Sequence, residues 1–125
     1  MRGVYSRLYA DEKGLSHFED VAAELVPGFA APPAEPAHMA PFVATGKCAW
    51  IGGTPEWKGD VPHPVPRRLL FVYTAGEAEI TAGDGTARRF GVGSVLLAED
   101  TWGTGHFSRI VGDANCIGLV FELPD

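Results

Sequence analysis

Cysteine, long apolar runs and positive charge are all scarce in this chain. Two cysteines, Cys48 and Cys116, are too few for a disulfide framework. Both sit in strand-like surroundings and are expected as reduced, buried small residues. No apolar stretch approaches the roughly 20 residues that a membrane span needs. The opening residues, Met1 to Lys13, lack the apolar block of a secretory signal, which sets the expectation of a cytoplasmic protein. Ten Lys and Arg face sixteen Asp and Glu, and the net charge of −6 argues against a nucleic-acid partner. Only Arg67-Arg68 and Arg88-Arg89 break the acidic trend, and neither pair is a patch.

What the chain does have is turn chemistry. Its 125 residues fit one domain, 1–125, long enough to bury one core. Sixteen glycines and ten prolines, spread along the chain, predict many short strands joined by tight turns, hence an all-β fold. Leu69 to Ala75 runs as a strand into Gly76, and Glu77 to Ala82 follows with Ala78, Ile80 and Ala82 on one face. Gly83-Asp84-Gly85 supplies a hairpin turn, because Gly and Asp tolerate the positive φ angles such turns need. Gly91-Val92-Gly93 opens a further strand, whose run Val95-Leu96-Leu97-Ala98 predicts cover on both faces. Phe107 to Val111 and Cys116 to Leu123 form a last pair around Gly112-Asp113-Ala114-Asn115.

The first third is less uniform. Ser16-His17-Phe18-Glu19 has the spacing of a helix capping box, and Phe18, Val21, Ala22, Leu25 and Val26 follow at helical spacing. The competing reading of residues 16–26 is an added N-terminal strand. Pro27 to Pro41 is rich in Ala and Pro and is expected as an extended connector lying along the surface. Residues 1–41 are thus arm and connector, and 42–123 the core. Val4, Tyr5, Leu8 and Tyr9 make the arm apolar enough to pair two copies as a homodimer.

The run from Leu69 to His106 resembles the core of a small cupin, a double-stranded β-helix or jelly-roll barrel, and the resemblance covers about residues 42–123. It favours the strand over residues 16–26. Cupins hold a metal through a His-x-His pair and a Glu before the first motif's glycine, with a further His after the last strand. Counting thirteen residues back from Gly76 lands on His63, but Val65 and Leu69 stand where the second His and the Glu belong. From Gly93 the count of eleven reaches Thr104, two positions short of His106. The resemblance therefore implies a pocket more than a metal. No cofactor is expected; a divalent metal, if bound, would take His63, His106 and Glu99, with Asp100 another carboxylate at the rim.

An inward face carrying Leu69, Phe71 and Tyr73 gives an aromatic cavity, to which Trp50 and either Cys48 or Ala49 are expected to contribute. Phe71 and the leucines read equally as plain core, and Tyr73 as a hydrogen bond across the barrel. Asp60-Val61-Pro62-His63-Pro64-Val65-Pro66 holds His63 in a stiff extended segment; it is either pre-oriented toward the pocket or a surface imidazole. His106 follows a Gly-rich turn. The two rings are expected within about 8 Å of each other with substrate between them, as a general acid and base. Arg67 shares the face of Leu69, Phe71 and Tyr73 and would hold a developing anion, or else pair with Glu77 or Asp60. Trp57 and Trp102 are lids or outer cover; His17 and His38 read as surface residues. The leading expectation is a metal-independent enzyme of isomerase, cyclase or lyase type acting on a small organic molecule. The alternatives are a non-catalytic sensor and a metal-dependent oxygenase with atypical ligands.

Overall fold

Alternation of small apolar and polar residues, broken every few positions by glycine, resolves into strands throughout a computed structural model that describes residues 1–28 and 31–125. The elements are β1 (Arg2–Ala10), β2 (Ser16–Glu24), β3 (Val26–Pro27), β4 (His38–Met39), β5 (Cys48–Gly53) and β6 (Gly59–His63). They continue with β7 (Leu69–Ala75), β8 (Ala78–Ala82), β9 (Ala87–Phe90), β10 (Val95–Glu99), β11 (His106–Ile110) and β12 (Cys116–Glu122). One sheet runs β2-β1-β10-β7-β12-β5 and the other β6-β11-β8-β9, with β3 and β4 paired separately. No helix among the described residues is long and apolar enough to cross a membrane. The class is all-β, as the glycine and proline pattern predicts.

Residues 16–24 are strand, not helix. β2 pairs with β1 along its whole length, from Arg2↔Glu24 to Ala10↔Ser16. The β1 partner takes up the backbone groups along one edge of β2 through a nine-residue register, so tertiary pairing overrides the capping-box pattern. β1 then pairs in parallel with β10, Ser6 to Tyr9 against Leu96 to Glu99. This corrects the dimer-arm expectation for Leu8, which is wholly buried in the core with Ile80, Ala82, Phe90 and Leu96. Val4, on the same strand, is exposed.

The two sheets face each other across that core. β8 buries Ala78, Ile80 and Ala82 and leaves the intervening residues half-exposed, the alternation expected of it. β10 departs from its expectation: Leu96 and Ala98 are buried, whereas Val95 and Leu97 are only partly covered. Cys48 also differs, being exposed at the start of β5, a strand paired on one side only. It lies opposite Phe121 while Cys116 lies opposite Gly53, so the two thiols sit at opposite ends of the β5–β12 ladder. The Pro-rich connector is exposed and carries the short β3–β4 pairing; its residues 29 and 30 lie outside the described residues.

Candidate active site

Three pieces of chain meet at one end of the space between the sheets. β6 and β11 are neighbours, and His63 lies opposite His106 in their register, with Ala82 of β8 on the other side of His106. The proline-flanked segment is tied to β10 by Val65 N–H, which donates to the Asp100 carbonyl at 3.1 Å. Gly105 allows the loop to pass close behind His63. Its φ is +69°, and a Cβ there would overlap the backbone of His63 and the Pro64 nitrogen. The loop from Asp100 to Gly105 is braced from the other side by the β1–β2 turn. Thr104 N–H donates to the Gly14 carbonyl at 2.8 Å, and the Ser16 hydroxyl donates to the Gly105 carbonyl at 2.6 Å.

That turn has its own clasp. His17 Nε2 lies 2.8 Å from Asp11 Oδ2 and its Nδ1 lies 3.0 Å from Asp84 Oδ2. Both ring nitrogens can donate only as imidazolium. The Asp11 hydrogen bond, aided by that of Asp84, accordingly raises His17 above its ordinary pKa. The same bond to His17 holds Asp11 below the usual carboxylate range, and the Thr86 backbone amide lowers Asp84 similarly. His17 is therefore more than the plain surface residue expected.

The chemistry centres on the imidazoles. Their ring centroids are 5.1 Å apart with planes inclined at 50°, so they stand side by side rather than on either side of a substrate. His106 is buried and its Nδ1 lies 2.5 Å from Asp100 Oδ2. Asp100 is wholly buried, and its second oxygen, Oδ1, has no hydrogen-bond partner among the described residues. A buried carboxylate on Nδ1 fixes the imidazole with its proton there and leaves Nε2 basic. His63 is exposed, and its Nδ1 donates to the Val61 carbonyl at 2.8 Å, again leaving Nε2 free. Asp100, expected at the rim, is instead wholly buried behind His106.

Both rings line a cavity of about 300 Å³ between the sheets, small for an organic-ligand pocket. Phe71, Tyr73, Leu96 and Ile80 form much of its wall. Tyr73 stacks on Phe90 at 5.5 Å, and burial pushes its phenol well above the ordinary value. The Cys116 thiol is pushed up in the same way, by burial and then by the charge of Glu77, so both groups stay neutral donors. Half-exposed Ile51 on edge strand β5, Trp57 and His63 on edge strand β6 also line it, which places the opening between these two edges. Trp57 lies flat over Gly59, where any Cβ would collide with its ring.

Other expected members lie elsewhere. Trp50 is 69% exposed and, like Cys48, does not line the cavity, because both belong to the outward stretch of an edge strand. Trp102 packs against Gly14 at the β1–β2 turn, over the loop rather than the mouth. Arg67 points to solvent and pairs with Glu122 at 2.9 Å, not with Glu77 or Asp60. Glu99 is held by Arg7 at 2.6 Å and Arg68 at 2.5 Å. Burial pushes Glu99 up, but the two guanidiniums outweigh it and hold its pKa below the ordinary value. The set His63, His106 and Glu99 is thus not brought together. Among the described residues no three His, Cys, Asp or Glu side chains converge as metal donors. No family model matches the chain, and no curated protein matches it.

Proposed function

We propose that the protein is a small-molecule enzyme on a cupin-like jelly-roll scaffold, performing acid–base chemistry of the isomerase, cyclase or lyase type. The observation that carries this reading is the buried Asp100–His106 pair, with His63 5.1 Å from His106 at the end of an apolar cavity. A proton taken by His106 Nε2 creates an imidazolium beside a carboxylate already in place, which is how a neutral imidazole is made an effective base. His106 returns that proton to the substrate or loses it to water, while His63, exposed and a ring's width away with Nε2 free, hydrogen-bonds the substrate's polar group. Two imidazoles fall short of the three or four convergent donors that a tight transition-metal site needs, and Glu99 is engaged by two arginines. The reading accordingly runs without a tightly bound metal. Exposed Trp50 and Ile51 on the unpaired edge of β5 support a homodimer formed along that edge.

The test is exchange of α-hydrogens in a neutral enolisable ketone such as 1-tetralone, followed by proton NMR in deuterated buffer. The expected result is exchange above the buffer rate, lost in His106→Ala and reduced in His63→Gln. Equal exchange in His106→Ala and the parent would sink it. A ketone that binds in the cavity without exchanging would favour the non-catalytic sensor.

A further inference from the structure

The cavity is uneven along its length. His106, Ser108 and Ile110 all line it from β11, and these positions span ~13 Å at ~3.3 Å per residue. The chain links β10 to His106 at one end, whereas the turn at Gly76 brings Tyr73 and Ala75 next to Ala78, which lies opposite Ile110, at the other. The imidazoles therefore mark one end and the Tyr73 phenol with the Cys116 thiol the other, with Phe71, Ile80 and Leu96 between.

Charge is missing from its wall. Among the described residues no Lys, Arg, Asp or Glu lines the cavity. The arginines nearest in sequence are engaged elsewhere: Arg109, within β11, with Glu79, and Arg67 and Arg68, just before β7, with Glu122 and Glu99. Close behind the wall lie two carboxylates: Asp100 at the imidazole end, whose Oδ1 has no hydrogen-bond partner among the described residues, and Glu77 at the other, whose charge reaches the Cys116 thiol. An anionic group at the imidazole end would meet the buried Asp100 carboxylate in a low-dielectric setting with no guanidinium or ammonium to hold it. An ammonium group would be attracted by these carboxylates but could not reach them, since neither Asp100 nor Glu77 lines the cavity, and it would leave water without a direct charged partner.

We infer that the cavity takes an uncharged, elongated, largely apolar molecule of about two-ring size, with one hydrogen-bonding group against the His63–His106 pair. This rests on the acid–base reading for the role of that polar end, and it replaces the expectation that Arg67 holds an anion. The experiment compares three probes of one shape at pH 7: 2-naphthol, 2-naphthoate and 2-naphthylmethylammonium. Affinity is read by calorimetry and location by the imidazole proton resonances of His63 and His106. The expected result is binding of 2-naphthol at least tenfold tighter than either ion, with both imidazoles shifted. Equal or tighter binding of an ion, no binding of 2-naphthol at millimolar concentration, or binding that leaves both imidazoles unmoved would each overturn it. Failure of the acid–base reading is separate: 2-naphthol then binds as described while no ketone exchanges its α-hydrogens.

Discussion

Replacing Asp100 by Asn removes one charge and almost no volume, and so isolates what the carboxylate does for His106. With the carboxylate beside the ring, an imidazolium gains about 4 kcal/mol of Coulomb attraction at ~4 Å and an effective dielectric of about 20. Asn retains a neutral hydrogen bond at Nδ1, so the net loss is the difference between a charge-assisted and a neutral bond, about 2–3 kcal/mol. At about 1.36 kcal/mol per tenfold, proton abstraction slows roughly 30- to 150-fold. Stability should change little. One oxygen of Asp100 is already unpartnered, and the amide leaves a comparable unpaired group in its place. The assay pairs ketone exchange with long-range proton–nitrogen NMR of the ring. The parent should show the proton fixed on Nδ1 of His106, and Asp100→Asn a mixture of tautomers. An Asn variant within threefold of the parent, its tautomer unchanged while His106→Ala is inactive, would refute the argument.

Other perturbations test the frame around the site. Gly105→Ala should cost at least about 2 kcal/mol, since a positive-φ position alone costs about 1–2 and the new Cβ also meets the His63–Pro64 backbone. Gly85→Ala, with positive φ but open space around it, should cost only the conformational part and leave the His63 and His106 resonances in place; equal losses would refute the close-packing argument. Leu8→Ala should lose about 2–5 kcal/mol in denaturant unfolding, because the side chain is wholly buried; a loss under 1 would return β1 to the role of a loose arm. The raised pKa of His17 gives a stabilisation present below its unfolded value near 6.5 and lost as pH rises through the folded value. The lowered Asp11 and Asp84 give one present above their unfolded value near 4 and lost as pH falls further. Melting temperature should therefore decline from pH 6 to 9 in the parent and more weakly in His17→Gln; parallel profiles would show that the clasp contributes nothing.

Strand positions from residue 69 onward were legible because they rest on local signals: two-residue alternation at Ala78, Ile80 and Ala82, and turn residues at Gly83-Asp84-Gly85. The placement of β2 was not, since Phe18, Val21, Ala22 and Leu25 fit a helix equally well until β1 is known to lie beside them. His63 and His106 could be singled out as residues; that they are opposed across β6 and β11 depends on a ladder between strands more than 40 positions apart. The aromatic residues divide on the same point. Phe71 and Tyr73 lie on a central strand and face inward, whereas Trp50 lies on an edge strand whose outer surface is left exposed among the described residues.

Asp100 shows where a usable signal existed. An acidic residue six positions before a histidine, across Thr101-Trp102-Gly103-Thr104-Gly105, can return to the imidazole if both glycines take left-handed φ, and both do, at +86° and +69°. The loop is then too tight to stand alone, which accounts for its bracing by Gly14 and Ser16. Those braces sit on the β1–β2 hairpin, the part of the chain that first read as an accessory arm. The hairpin thus does two jobs at once: Leu8 closes the core, and the turn beside it holds the loop that carries Asp100 to His106. A lesion in the turn that spares Leu8 should accordingly reach the imidazole pair before it reaches global stability.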